Sequence, residues 1–265
     1  MSANNESLGS FGAVWDAFWN VEISRFPVLD PKVAPDKLSA AIASQISSEL
    51  QTVELPGDLA RAGEIAVVMS KARESLDEVK GLTEYQDQKA TRLLTIISFL
   101  SALAGALLAI FAKAYPLPSY LFGSHFNWSA FWIVLSYLIF GAFVLLAISG
   151  ALVVFYATKT RFKWPKQTAV PRSRLFYDGI VAAPPSAWAK SFLVKSGDHQ
   201  EFMPAAALQM AYTKDYIMES YLVAAKVADK LRYLNPAQKI LYSTVKLLLV
   251  WVLVVGIISL TVPTT

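Results

Sequence analysis

Three long apolar stretches constrain this chain more than anything else in it. Leu93–Ala112 and Trp128–Thr158 carry no charge at all, and Ile240–Val262 carries only Lys246. A helix needs about 20 apolar residues to cross a hydrocarbon core of about 30 Å. All three stretches meet that length, so the chain reads as a membrane protein with three transmembrane helices. The composition agrees: 17% of residues are charged, against about 25% in soluble domains.

Flanking charge sets the expected orientation. Lys159, Arg161, Lys163, Lys166, Arg172 and Arg174 follow the second span with no acid among them, whereas the loop between the first two spans has only Lys113. The positive-inside rule places residues 113–127 outside and residues 159–239 in the cytoplasm. The N-terminus is then cytoplasmic and the C-terminus outside. Tyr115, Tyr120, Trp128 and Trp132 crowd one end of the hairpin, and Tyr156 and Trp164 the other, as two interfacial aromatic belts. The first 24 residues hold no Lys or Arg and no clean apolar run, so no signal peptide is expected.

Outside the spans the pattern is helical. Ile65, Met69, Ala72, Leu76 and Val79 are spaced 4, 3, 4, 3, which is a heptad seam, on a charge-balanced segment 58–92 that leads into the first span. Ile217, Tyr221, Ala224, Ala228 and Leu231 repeat that spacing on 205–235, with an interruption expected at Pro236 before the third span. The fold class that follows is an all-α membrane protein in which two spans continue long cytoplasmic helices, forming a bundle or coiled stalk. Residues 1–57 form an N-terminal cytoplasmic helical region. In it Phe11, Val14, Trp15, Phe18 and Trp19 mark a short amphipathic helix reaching toward Phe26-Pro27, and a second helix follows Pro35-Asp36. The first of these helices is either interfacial or a lid on the cytoplasmic bundle. The lack of a Lys/Arg face favours the lid. Residues 165–204 are rich in proline and aromatics, and Ser186 is expected to cap a short helix running to Leu193.

Chemistry-bearing motifs are sparse. The chain has no Cys, and His125 and His199 have no companions at ligand spacing, so no metal or cofactor is expected. P-loop, GxGxxG, HExxH and GxSxG signatures are missing, and Asp77-Glu78 and Asp198–Glu201 read as solvated surface. No catalytic residue is therefore assigned. Ser98, Ala102, Gly105 and Ala109, with Ser101 beside them, form a small-residue face on the first span. It suits either packing within the chain or self-association around a pore. The basic run also has two readings. It is a topology signal against anionic headgroups, or an anion site in which Arg172 and Arg174 meet a phosphate while Phe176, Tyr177 or Trp188 stacks on a base.

Three segments carry a resemblance. Gln86-Asp87-Gln88-Lys89-Ala90 runs into the first span. Leu175-Phe176-Tyr177-Asp178-Gly179-Ile180 precedes the Trp188 helix. Asp215-Tyr216-Ile217 to Lys230-Leu231-Arg232-Tyr233 leads into the last span. Over about residues 80–260 the chain resembles the membrane effectors of Pycsar antiphage systems. The resemblance implies an oligomeric, non-enzymatic effector in the bacterial inner membrane. It also implies that a cyclic pyrimidine nucleotide from a partner cyclase activates the protein. Membrane integrity would then fail and growth of the infected cell would stop, as in abortive infection. The alternative reading is a membrane-anchored scaffold whose coiled stalk recruits a soluble partner. Neither reading involves nucleic acid.

Overall fold

The structure is a computed structural model. It describes residues 8–21, 49, 62–117, 128–159, 174–175, 180, 184–196 and 199–263. The second helix expected after Pro35 and the N-cap expected at Asp58 lie outside the described residues. In chain order the elements are α1 (Ser10–Trp19), α2 (Ala62–Ala114), α3 (Trp128–Thr158), α4 (Pro185–Lys190), β1 (Leu193–Ser196), β2 (His199–Phe202) and α5 (Ala205–Thr261). α2, α3 and α5 are each long and apolar enough to cross a membrane. The chain divides into two compact units, 1–21 with 87–159 and 230–265, and 22–86 with 160–229. The helices α2 and α5 contribute to both.

The apolar unit is built on a 3.5-residue period. On α2 the least exposed positions are Ala90, Ile97, Ala104 and Phe111, one per heptad. On α3 they include Ile133, Ser136, Phe143, Ala147, Gly150 and Ala157. On α5 they are Ala237, Leu241, Thr244, Leu248, Trp251 and Ile258. Helices sharing this period keep one stripe facing each other along their length. Large and small residues alternate where the stripes meet. Trp251 is fully buried in a cluster with Ala104, Phe143 and Leu248, and its ring lies 5.1 Å from that of Phe140. Gly150 lets α5 approach: a Cβ there would stand 3.2 Å from Leu241 Cδ2 and 3.4 Å from Ile240 Cγ2.

Tyrosines fasten both ends of this unit. At the Lys113 end, Tyr115 Oη donates to the Val262 carbonyl at 2.9 Å, and Tyr137 Oη donates to the Tyr115 carbonyl at 2.9 Å. Tyr115 is thus buried, with its hydroxyl on a carbonyl at the end of α5, so it is no part of a lipid-facing belt. Among the described residues, Trp128, Phe131 and Trp132 are exposed aromatics at that end, and Tyr120 lies outside the described residues. At the other end Tyr156 is also buried, ring to ring with Tyr233 at 4.9 Å, and Tyr156 Oη donates to the Val21 carbonyl. Trp164 lies outside the described residues.

Two expectations are corrected by helix ends. α1 stops at Trp19 rather than near Phe26, because Asn20 turns left-handed (φ 52°) and the Asn20 and Val21 N–H groups cap the Ala17 and Asp16 carbonyls. α5, in contrast, runs unbroken through Pro236. The lost backbone bond is tolerated because Tyr233, Leu234, Ala237 and Ile240 are buried on both sides of it.

The second unit adds a feature no all-α reading contained. β1 and β2 form an antiparallel hairpin with Leu193 opposite Phe202 and Ser196 opposite His199. α4 ends at Lys190, short of Leu193, and the Ser191 hydroxyl closes it by donating to the Trp188 carbonyl at 2.7 Å.

Candidate functional site

Within the apolar unit, the small-residue face of α2 points outward. Ser98, Ala102, Gly105 and Ala109 are exposed, and Ser101 is half-buried. A Cβ on Gly105 would meet no atom within 4 Å. The face that packs inside the chain is instead the Ile97, Ala104, Phe111 stripe. Beside the small-residue face lies an apolar groove of about 390 Å³, walled by Leu93, Ile97 and Ser101 of α2 and by Gln238, Tyr242 and Val245 of α5. Thr244 also lines it, but its hydroxyl is satisfied by the Ile240 carbonyl.

At the end of the apolar unit where charges resume, α2 and α5 are tied by an ion pair. Lys230 Nζ meets both Asp87 oxygens, at 2.6 and 2.9 Å. Lys230 is largely buried and Asp87 about half exposed. Sequence patterning could not pair them, since 143 residues separate the two. Both fall within the segments that carried the family resemblance.

In the second unit, Arg174 is held by α5. Its backbone N–H donates to Asp215 Oδ2 at 3.1 Å, and its Nη1 does so at 3.3 Å. Burial pushes the Asp215 carboxyl above its ordinary value, and the hydrogen bonds and charge of Arg174 pull against that. Trp188 is half-buried and stands edge-on to Phe192 at 5.3 Å. Of the residues proposed to hold an anion and a base, these two therefore have separate described partners. Arg172, Phe176 and Tyr177 lie outside the described residues. A phosphate at Arg174 would share the guanidinium with Asp215.

The packing face of this part of α5 also differs from the expected seam. Tyr221, Ala224 and Ala228 are exposed, and Met218, Leu222 and Ala225 are buried together with Asp215 and Glu219. The polar pair disguised the stripe: acids on a helix read as surface unless a partner such as Arg174 is known. On α2 the seam stands as expected, with Leu76 buried and Ile65, Met69, Ala72 and Val79 half-buried. It extends through Thr83 and Gln86 to Ala90 without a break in spacing.

The architecture defines a helical protein with three candidate membrane spans, two of them continuous with charged helical segments. The chain belongs to the Pycsar effector family: the family's model, PycTM, the Pycsar effector protein domain, matches residues 71–258. The match begins inside the charged part of α2 and leaves α1 outside. No curated protein and no solved structure matches the chain.

Proposed function

We propose that this protein is a non-enzymatic effector of antiphage defence in the bacterial inner membrane. A cyclic nucleotide, of the cyclic pyrimidine class and supplied by a partner cyclase, switches it on. Activation impairs membrane integrity and halts growth of the infected cell. One observation carries the reading. In a chain of the Pycsar effector family, α2 and α5 each run without interruption from a charged segment into an apolar span. A ligand that favours one packing of the charged segments then has a continuous helical route toward the bilayer. The flanking charges support a cytoplasmic N-terminus and charged segments, with the C-terminus outside. The outward Ser98, Ala102, Gly105, Ala109 face suits close helix approach between copies, and so a homo-oligomer. Arg174, Arg172, Tyr177 and Trp188 remain the candidates for the anion and base.

The test is expression of the protein with and without a cyclic pyrimidine nucleotide, read by a membrane-potential dye and by colony counts. Nucleotide-dependent depolarisation and growth arrest are expected. Intact potential under every cyclic nucleotide tried overturns the reading.

A further inference from the structure

The aromatic helix α1 is mounted the opposite way round from a lid. Its small residues, Ala13 and Ala17, are the buried ones, packed in one cluster with Val153, Val154, Tyr156 and Ala157 of α3 and Tyr233 of α5. Its large residues face away: Phe11 is 81% exposed, Trp15 55%, Phe18 68% and Trp19 60%. They form a continuous aromatic patch, with Trp15 against Phe11 at 6.4 Å and against Trp19 at 5.8 Å. The mounting is specific. Tyr233 Oη donates to Asp16 at 3.0 Å, and Lys159 Nζ donates to Asn20 Oδ1 at 2.8 Å. A soluble surface rarely holds four large aromatics outward on two adjacent turns.

The level at which α1 is mounted identifies what covers the patch. α3 has 31 residues, about 46 Å of helix at 1.5 Å per residue, well beyond a hydrocarbon core of about 30 Å. Counting about 20 residues along α3 from Trp132, the inner of its two exposed tryptophans, reaches Ala151, just before Val153. Residues 153–157, where α1 sits, therefore lie in the headgroup layer. Leu145 and Ile148 of α3 are exposed in the turns before it, as a lipid-facing helix surface requires. At this end Tyr156 and Tyr233 are buried beneath α1, while Phe155 of α3 is exposed. The opposite end keeps Trp128 and Trp132 outward.

We infer that α1 lies in the bilayer interface, parallel to the membrane surface, with Phe11, Trp15, Phe18 and Trp19 inserted among the lipid headgroups as the aromatic girdle of this end. The inference rests on reading the apolar helices as membrane spans and needs nothing of the nucleotide reading. Attachment runs through aromatic insertion, since Ser10–Trp19 contains no Lys or Arg to attract anionic lipid.

The natural absence of Cys allows single labels in the full chain. Phe11→Cys, Trp15→Cys and Phe18→Cys are spin-labelled in vesicles of phosphatidylethanolamine and phosphatidylglycerol. Collision with oxygen, which favours lipid, is compared with collision with a water-soluble nickel chelate. Leu145→Cys serves as the lipid control and Glu74→Cys as the aqueous one. The three α1 positions lie outside the packed face, so labelling leaves the mounting intact. An oxygen-to-nickel ratio several-fold above the Glu74→Cys value is expected at all three, and also in pure phosphatidylcholine. Nickel access equal to that control, with Leu145→Cys lipid-exposed, overturns the α1 inference alone. Spin–spin broadening without lipid contact assigns the patch to a second copy and overturns it too. An aqueous Leu145→Cys overturns the membrane reading beneath both.

Discussion

Asp215 shows how one side chain can mislead a reading made by pattern and still organise its surroundings. It sits on the packing stripe of α5 because Arg174 supplies both a backbone and a side-chain donor to it. Its carboxyl is raised by burial. An acid raised in the folded state binds its proton there before the unfolded chain does. Its contribution to stability is full below the unfolded value and is lost as pH rises through the folded one. Melting of the detergent-solubilised protein should show this loss as pH rises from about 4, and Asp215→Asn should flatten that part of the profile. An unchanged slope in the variant would place the carboxyl in water. The Lys230–Asp87 pair is the second case. Asp87 is about half exposed, so solvent weakens the pair. A double-mutant cycle of Lys230→Met and Asp87→Asn should give a coupling of about 0.5–1.5 kcal/mol, measured by denaturation.

Two glycines separate packing within the chain from packing beyond it at the scale of the helix. Gly150 of α3 is packed closely by Leu241 and Ile240 of α5. Gly150→Leu should cost about 1–3 kcal/mol by overpacking, seen as a lower melting temperature. Gly105 of α2 has open space where a side chain would go. Gly105→Leu should change the subunit's stability by less than about 0.5 kcal/mol. Under the proposed function it should nevertheless abolish toxicity and reduce cross-linking between copies. A toxic, fully cross-linked Gly105→Leu protein would remove the small-residue face from the mechanism. The same contrast explains why α2 alone could not say which of its faces was internal. Its apolar span offers Ile97, Ala104 and Phe111 on one side and Ser98, Ala102 and Gly105 on another, and a membrane helix can pack on either.

Continuity of α2 and α5 is the property that matters for the molecule as a whole. The α2 seam keeps heptad spacing from Ile65 to Phe111, across the change from charged to apolar sequence. One alanine inserted after Gly81 would rotate everything before it by about 100° relative to the span. Seven inserted residues would restore the facing of the seam. If activation travels along α2, the single insertion should abolish nucleotide-dependent depolarisation while membrane insertion persists. The seven-residue insertion should recover much of it. Equal response of both insertions would mean that the signal reaches the bilayer by another route.

Hydropathy and charge are carried by each residue independently of its neighbours in space. For that reason the three long apolar helices and the α2 seam were legible in the chain itself, as was the likeness to the Pycsar effector family. What depended on partners far along the chain was not. Tyr115 and Tyr156 look like belt residues until their carbonyl acceptors are known. The Asp215 stripe looks like solvent until Arg174 arrives. The hairpin carried only a faint local mark, Gly197-Asp198 between two short runs. α1 shows the division most plainly. Its sequence established an amphipathic aromatic helix, but which face is buried depends on whether the neighbouring surface accepts alanine or tryptophan. The tyrosines and alanine of α3 and α5 made that surface close-fitting, so the small residues went in and the aromatics were left facing out.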